Sequence, residues 1–294
     1  MATYSGRGIG SRLVPIAIAG TFVLAFCASS ALAAPKCEPE KVAEKYPALA
    51  GKTLIVEQDG QSPPFTYRDL NDPDKIIGFD ADYVRAAMAC IGVKSEFKLG
   101  AWSGLLPALV AGQADFMWSN LYYSPERAKT VNFVTYMQAA SAGLVAKGNP
   151  KNIKSTDDFC GVRGTAGVGT VEYTQLQDIS KKCTDAGKPP IDIVTFPDAP
   201  AGARLVANDR ADVLYGDLTL AGGFTSQMPD KVEIGFRVAS GLKIAAAVRK
   251  DNDQLLNALH EAIQVLQMDG TQEKLQQTYH LDKSLFEPTE ILTK

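Results

Sequence analysis

The segment 114–133, ADFMWSNLYYSPERAKTVNF, contains a strand, a row of polar residues and the start of a helix in close succession. Residues 115–118 read as a short, largely apolar strand, and the chain becomes polar directly after them. Ser124 is a good helix N-cap and Pro125 a good first helical residue, because a helix start needs a side-chain acceptor and tolerates a missing N–H. Arg127 follows at this helix start. Since a guanidinium binds a carboxylate through two parallel hydrogen bonds, the segment predicts a carboxylate site at Arg127.

Residues 1–33 read as a secretory signal peptide that is removed from the mature protein. Two arginines precede the apolar run 14–26, and small residues then lead to an Ala-x-Ala pattern with expected cleavage after Ala33. The apolar run is shorter than the ~20 residues that a membrane span needs. Cys27 offers lipoprotein processing as an alternative, but the bulky Phe26 stands where a small residue is expected. We therefore expect a secreted protein of the periplasm.

Composition excludes several classes of function. The mature chain has about 260 of the 294 residues, enough for one large domain or two lobes. Because 30 Lys and Arg residues stand against 33 Asp and Glu residues, no nucleic-acid partner is expected. The Gly-rich turn 164–169 lacks the G-x-G-x-x-G spacing, there is no Walker lysine, and the two histidines lie on unrelated helix faces. No cofactor and no metal site is predicted.

Four cysteines remain in the mature chain: Cys37, Cys90, Cys160 and Cys183. Export to an oxidising compartment favours disulfides, and four cysteines allow three pairings. We favour Cys37 with Cys90 and Cys160 with Cys183, because each pair then falls within one half of the chain. Buried free thiols are the alternative. A catalytic thiol is disfavoured, since no histidine lies near any cysteine in the sequence.

Strands and helices alternate along the mature chain, which predicts an α/β fold with largely parallel sheets. The strand–helix–strand–helix–strand order occurs twice, before and after about residue 145, and suggests two similar lobes. One predicted helix runs from the Gly78-Phe79-Asp80 start to about residue 91, with Asp80 as its cap. The other main elements predicted are strands at 53–57, 93–99, 140–146, 191–196, 211–215, 232–236 and 242–248, and helices at 102–112, 170–186, 200–208, 218–227, 251–268 and 271–279.

Polar residues just after strands are the candidate ligand contacts, because ligands of open α/β sheets collect beyond the carboxyl ends of strands. Arg127 in one half could bind a carboxylate and Asp217 in the other an ammonium, so that a zwitterion would bridge the halves. Trp102 could supply an apolar wall. The other candidates at strand ends are Asp59, Ser62, Ser119, Asn120, Tyr122, Gly169 and Thr170.

Each candidate also has a structural interpretation. Arg127 could be an ordinary surface charge, and Asp217 could cap the helix that begins at Leu218, a role compatible with ligand binding. Trp118 lies in an apolar strand and fits the core as well as a pocket. Asp59 could simply stabilise a turn.

Four segments resemble the periplasmic solute-binding proteins of polar amino-acid ABC transporters, family 3 of the extracellular solute-binding proteins. GFDADYVRAAM at 78–88 resembles the Gly-Phe-Asp-x-Asp helix start of the family, and residues 101–133 resemble its helix–strand–Thr-Pro-Glu-Arg segment. RADVLYGD at 210–217 resembles its Asp-bearing strand end, and DGTQEKLQQTYHL at 269–281 its C-terminal helix. The resemblance runs from about residue 53 to 282. It implies the two-lobed periplasmic-binding-protein fold of type II, with two parallel-dominated sheets joined by a two-strand hinge.

The resemblance also implies domains and roles. Residues 34–144 would start lobe 1, 145–240 would form lobe 2, and 241–294 would return to lobe 1. Arg127 would bind the ligand carboxylate and Asp217 its ammonium. Ser119 and Asn120 would act at the same end, Thr170 with its neighbouring backbone would close over the carboxylate, Asp59 and Ser62 would line the first-lobe loop, and Trp102 would face the ligand side chain. Asn120, Tyr122, Val171 and Ser62 depart from the residues usual at their positions.

The function expected is binding without catalysis. A monomer would close around an amino acid and present it to a membrane ABC permease. Asp59 and Glu57 favour a basic ligand side chain, whereas Trp102 and Trp118 favour an apolar or amide one, and we favour a polar, uncharged one. The alternatives are a periplasmic dehydratase-like enzyme that uses Glu172 as an acid, and an accessory or sensory module.

Overall fold

The computed structural model describes residues 1–6 and 35–294, and residues 35–294 form one compact unit. The predicted signal peptide lies almost wholly in residues 7–34, outside the described residues, and so do Cys27 and the expected cleavage site at Ala33. Within the described part, none of the helices combines the length and apolar character that crossing a bilayer requires.

Twelve strands and nine α-helices are present in the described residues. The strands are β1 (Thr53–Gln58), β2 (Gln61–Ser62), β3 (Thr66–Arg68), β4 (Ile76–Ile77), β5 (Lys94–Leu99), β6 (Phe116–Tyr122), β7 (Val131–Ala146), β8 (Arg163–Thr165), β9 (Asp192–Val194), β10 (Val213–Asp217), β11 (Val232–Arg249) and β12 (Ile291–Leu292). The helices are α1 (Val42–Lys45), α2 (Phe79–Ile91), α3 (Trp102–Val110), α4 (Pro125–Ala128), α5 (Val171–Asp185), α6 (Ala199–Ala207), α7 (Leu218–Gln227), α8 (Asp253–Met268) and α9 (Thr271–Thr278). Short 3₁₀ turns lie at Pro39–Lys41, Thr156–Phe159 and Lys283–Leu285.

Two sets of parallel strands flank a central antiparallel pair. The order across the main sheet is β5-β1-β6-β11-β7-β10-β8-β9. Strands β5, β1 and β6 run parallel in the first lobe, and β10, β8 and β9 run parallel in the second. Because β7 and β11 pair with each other through both lobes, the two predicted sheets form one continuous sheet.

The strands β7 and β11 are the connection between the lobes. Their pairing shifts register between Ala239 and Lys243, and Gly241 adopts a positive φ of 62° there. The sequence predicted two strands, 232–236 and 242–248, where the structure has one, because this irregularity bends the strand without ending it. The predicted boundaries between the lobes, after residue 144 and after residue 240, fall inside β7 and β11. The division of the chain at these positions stays a prediction.

Alternating side chains give the second lobe a core on each face of its sheet. Val213 and Tyr215 of β10 pack with Leu176 of α5 on one face. Leu214, which lies between them, packs with Val206 of α6 on the other. This is the period-2 alternation of a strand that is buried on both faces. The end of β10, at Asp217, is thereby held firmly at the carboxyl edge of the sheet.

Both favoured disulfides are present. Cys37 is bonded to Cys90 at the end of α2, and Cys160 is bonded to Cys183 in α5. The first bond ties the N-terminal segment to the first lobe, and the second ties the turn before β8 to its neighbouring helix.

The start of α2 differs from the prediction. Gly78, not Asp80, is the N-cap residue, and Asp80 lies inside the first turn with its side chain buried. Gly78 has a φ of 122°, and a Cβ built on it would lie 2.3 Å from the carbonyl oxygen of Phe65. Only glycine fits this close approach of two backbones.

We expect Gly78→Ala to lower the free energy of unfolding by on the order of 3 kcal/mol, because the methyl group meets backbone and the positive φ disfavours an L side chain. Thermal melts followed by circular dichroism would measure this. Gly104→Ala in α3 is the matched control, since a Cβ built on Gly104 would have no other atom within 4 Å and alanine favours a helix. Equal stability of the two variants would contradict the packing argument.

Candidate ligand site between the lobes

A cavity of about 460 Å³ lies between the two lobes. All the predicted ligand-binding residues except Ser119 and Gly169 line it, and their role in binding stays a prediction. Its walls also include residues that the sequence did not single out as contacts. Among these are Ser103, Phe196, Asp198, Tyr215, Leu220 and Phe224.

Arg127 is positioned by the helix start that the sequence predicted. Ser124 caps α4 by accepting the N–H of Arg127, and Pro125 is the first helical residue. The guanidinium donates from Nη1 to the Tyr122 carbonyl at 2.5 Å and from Nη2 to the Gly169 carbonyl at 2.7 Å. It also lies over the ring of Trp102, 5.4 Å from the ring centre. Arg127 is therefore a half-buried cation that touches both lobes, and the surface-charge interpretation is wrong.

Asp217 is held by partners from both lobes. Its Oδ1 accepts the N–H of Leu220 at 2.9 Å, so it is the N-cap of α7, as its structural interpretation predicted. Its Oδ2 accepts the hydroxyl of Tyr122 in the first lobe at 2.5 Å. Burial raises the pKa of the Asp217 carboxyl, although these hydrogen bonds oppose the shift. The Tyr122–Asp217 bond thus connects the lobes directly across the cavity.

Asn120 lies in β6, and buried hydrogen bonds of the first lobe fix its backbone. Its backbone N–H donates to the buried carboxylate of Asp80 at 2.7 Å, and Tyr136 donates its hydroxyl to the same carboxylate at 2.8 Å. Asn120 has a φ of 45°, a left-handed conformation that asparagine tolerates better than most residues. Its side-chain oxygen is buried and accepts no hydrogen bond from the described residues. An acceptor of this kind at a cavity wall suits a ligand N–H or O–H.

Glu172 was predicted from the sequence only as a possible catalytic acid, not as a ligand contact. It is the second residue of α5, is 3% exposed and lines the cavity. One oxygen, Oε1, accepts the hydroxyl of Ser141 on β7 at 2.8 Å. The pKa of Glu172 is raised to about 7, chiefly by burial and in part by Asp217, while its own backbone N–H, Ser141 and Arg127 oppose the rise. Its position just after the predicted cap Thr170 could have identified it as a contact.

A second acidic pair lines another part of the cavity. Asp59 follows β1 and is buried, with Oδ2 accepting the Ser62 hydroxyl at 2.6 Å and its N–H donating to Ser119 Oγ at 2.9 Å. Asp198 caps α6 in the second lobe and its charge adds to burial in raising the pKa of Asp59. The two acids therefore approach each other from opposite lobes. Asp198 could have been found from the sequence, since it precedes Pro200 at a helix start.

The beginning of α5 forms the wall opposite Arg127. Thr170 caps this helix by accepting the N–H of Tyr173 and donates its own hydroxyl to the Gly167 carbonyl. Gly169 has a φ of 83°, and a Cβ built on it would lie 3.5 Å from the ring of Trp102. Gly169 thus contributes its carbonyl and its small size rather than a surface of the cavity.

Two residues weighed as pocket residues lie elsewhere. Trp118 is fully buried between the rings of Tyr83 and Tyr136, so it belongs to the core of the first lobe. Glu57 is buried beside Lys98, with 3.0 Å between the charged atoms, and does not line the cavity. Neither residue bears on the ligand side chain. Apolar contacts come instead from Phe196, Leu220 and Phe224, the last two on one face of α7 at a spacing of four residues.

Comparisons with known proteins agree with this architecture. The model of the family "Bacterial extracellular solute-binding proteins, family 3" matches residues 54–282. The L-cystine-binding protein TcyJ of Escherichia coli (strain K12) is 28% identical over 229 residues, which cover 77% of this chain and 82% of that protein. The solved structure of an ancestral arginine-binding protein bound to arginine is 31% identical with a TM-score of 0.70, covering 77% of this chain and 97% of that one. An ancestral amino acid-binding protein described as a precursor of cyclohexadienyl dehydratase is 28% identical with a TM-score of 0.68, covering 81% and 99%. These matches confirm the predicted two-lobed α/β fold of type II.

We expect Glu172→Gln to stabilise the protein at pH 8 but not at pH 4. The pKa of Glu172 rises from 4.5 to about 7 on folding, so the folded state holds more protons and stability falls as the pH rises through this window. Glutamine removes that loss, worth up to about 3 kcal/mol. Thermal melts of both proteins between pH 4 and pH 8 would measure it. The exposed Glu44→Gln serves as control, and a pH-independent difference for Glu172→Gln would contradict the assignment.

Proposed function

Because the chain belongs to the bacterial extracellular solute-binding proteins of family 3, we propose that it binds a free L-amino acid between its lobes. One observation carries the proposal: the cavity is lined by the guanidinium of Arg127 and by the buried carboxylates of Asp217 and Glu172, and Glu172 interacts with both of the others. An α-amino acid has a carboxylate and an ammonium on neighbouring atoms, which is the charge pattern that such a site complements. Relatives named for binding L-cystine and arginine support this ligand class.

Arg127 takes the ligand carboxylate in this proposal. Its two bonds to backbone carbonyls fix the guanidinium plane while leaving other N–H donors of its fork for a ligand. The start of α5 adds to this end of the site, because Thr170 and Val171 line the cavity and a helix N-terminus favours negative charge. Both features suit an anion, and they come from opposite lobes.

Closure of the lobes follows from the same contacts. Arg127 and Tyr122 of the first lobe bond to Gly169 and Asp217 of the second, so a ligand among them favours the closed form. The register shift in β11 near Gly241 is the natural place for the hinge. In this mechanism the protein is a monomer in the periplasm, and its closed form delivers the amino acid to the membrane permease of an ABC transporter.

The ligand side chain extends toward Asp59 and Asp198. Both carboxylates accept hydrogen bonds and carry negative charge, whereas Phe196, Leu220 and Phe224 supply apolar surface to the cavity. A side chain with N–H donors fits this mixture, and a carboxylate side chain would add a third negative charge beside two others. This extends the sequence-based preference for a polar, uncharged side chain to cationic ones.

A dehydratase-like enzyme is the second candidate function. Burial of Glu172, which raises the pKa of its carboxyl to about 7, would allow it to donate a proton near neutral pH. An ancestral relative described as a precursor of cyclohexadienyl dehydratase supports testing this. Turnover of a cyclohexadienyl substrate by the purified protein, lost in Glu172→Gln, would favour the enzyme. Tight binding of an unmodified amino acid without turnover would favour the binding protein.

We expect Arg127→Ala to weaken amino-acid binding at least a hundredfold, because a charged ligand group then loses its fork-like, half-buried partner. Isothermal titration calorimetry would measure the loss, and circular dichroism would show that the fold is kept. Arg237→Ala, an exposed arginine on β11, is the control and should bind normally. Unchanged affinity in Arg127→Ala would exclude Arg127 as the carboxylate partner.

We expect L-glutamine to raise the melting temperature and L-glutamate of nearly the same shape to leave it unchanged. The glutamate side chain would place its charge near Asp59 and Asp198, whereas the glutamine amide donates hydrogen bonds to them. A thermal-shift panel of L-amino acids that includes L-arginine would test this selectivity. A larger shift with L-glutamate than with L-glutamine and L-arginine would show that the side-chain site is not acidic.

A further inference from the structure

Asp217 and Glu172, the two buried carboxylates that line the second-lobe side of the cavity, differ in how fully the protein satisfies them. Asp217 accepts the hydroxyl of Tyr122 on one oxygen and the N–H of Leu220 on the other. The side-chain amide of Asn120 and the N–H of Thr219 also lie close enough to stabilise its charged form. A carboxylate has about four acceptor positions, so Asp217 has little capacity left for the three N–H groups of an ammonium.

Glu172 receives fewer hydrogen bonds from the protein than Asp217 does. It is as deeply buried as Asp217, yet the donors that it receives from the described residues are the Ser141 hydroxyl, on Oε1, and its own backbone N–H, two against the four of Asp217. The side chain lines the cavity. A buried carboxylate with open acceptor positions costs free energy, unless a donor from a ligand reaches it.

The groups that face Glu172 come from four elements. Arg127 of α4 is the cation, and Asp217 and Tyr215 of β10, Tyr122 of β6 and Ser141 of β7 are the other polar groups. The α-ammonium of an amino acid lies next to its carboxylate. A ligand whose carboxylate binds Arg127 therefore brings its ammonium to the side of the cavity where Glu172 and Asp217 lie.

We propose that Glu172 is the residue that binds the ligand ammonium, and that Asp217 instead acts as the acceptor of an interlobe bond from Tyr122. The assignment rests on the proposed function, since it needs an amino-acid ligand. The hydroxyl of Tyr122 fills an acceptor position of Asp217, so the ligand ammonium binds the neighbouring carboxylate of Glu172 instead. The unpartnered side-chain oxygen of Asn120 supplies a further acceptor at the same wall.

Binding then depends on pH through Glu172. A carboxylate must be ionised to hold an ammonium, and near neutral pH a large share of Glu172 is protonated in the free protein, because burial raises its pKa to about 7. The dissociation constant should fall about tenfold between pH 6 and pH 8, and binding at pH 7 should release roughly half a proton. Calorimetry in buffers of different ionisation enthalpy measures this release without any variant.

The decisive experiment compares Glu172→Gln with Asp217→Asn, which keeps a side-chain acceptor for the cap of α7. The probe is the tightest-binding amino acid among the twenty common L-amino acids and L-cystine, titrated beside its deaminated analogue (5-guanidinopentanoate for L-arginine). At pH 8 Glu172→Gln should weaken binding of the amino acid at least tenfold and leave the affinity for the analogue nearly unchanged. It should also abolish the pH dependence of amino-acid binding. Asp217→Asn should keep both the preference for the amino acid and the pH dependence.

The opposite results overturn the assignment in distinct ways. If Asp217→Asn loses the preference for the amino acid and Glu172→Gln keeps it, Asp217 binds the ammonium and the proposed function stands. If the parent protein takes up protons or exchanges none on binding at pH 7, Glu172 is not the ammonium partner. If no amino acid in the panel binds, the proposed function itself fails.

Discussion

The buried carboxylate of Asp80 fixes the part of β6 on which the site depends. It accepts the N–H of Asn120 and the hydroxyl of Tyr136, and so joins the start of α2 to both β6 and β7. Burial raises the pKa of this carboxyl to about 7, so the anchor is costly, and its hydrogen bonds offset part of the cost. These hydrogen bonds fix the geometry of the site. With Asn120 fixed in a left-handed conformation, the chain beyond it places Tyr122 and Arg127 at the cavity.

Four acids and one base line the cavity, and the acids differ in how far hydrogen bonds within the protein satisfy them. Asp59 accepts from Ser62 and from the backbone of Gln61, and Asp198 caps α6. Asp217 is stabilised by Tyr122 and a helix start, whereas Glu172 stays poorly satisfied and has a near-neutral pKa. Removing a carboxylate from water is expensive unless its acceptors are filled. A ligand donor therefore contributes most free energy of binding where it reaches the least satisfied acid, Glu172.

The fold could be predicted from the sequence, because its determinants are local. Apolar periodicity located the longer helices and most strands of the main sheet, although it missed β2, β3, β4, β12 and α1. The Ser124-Pro125 start and the Asp217 cap were predicted correctly. The predictions failed where a distant partner decides the outcome. Asp80 looks like a cap in sequence, but a backbone approach from Phe65 makes Gly78 the cap and leaves Asp80 for Asn120. The bond between Tyr122 and Asp217 joins residues 95 positions apart, and neither side chain indicates the other. The sequence therefore named Glu172 as a possible acid but not as a ligand contact.

Electrostatics also explains why closure should need a ligand. Closing the lobes brings Asp59 toward Asp198, and it brings Tyr122 and Arg127 toward the two acids of the second lobe, with Arg127 as the one base lining the cavity. The bonds from Tyr122 to Asp217 and from Arg127 to Gly169 favour closure, whereas the repulsion and desolvation of the acids oppose it. A zwitterion adds no net charge, yet its ammonium lies beside the acids and its carboxylate beside the base. It can therefore shift the balance toward the closed form, as differential affinity for that form requires.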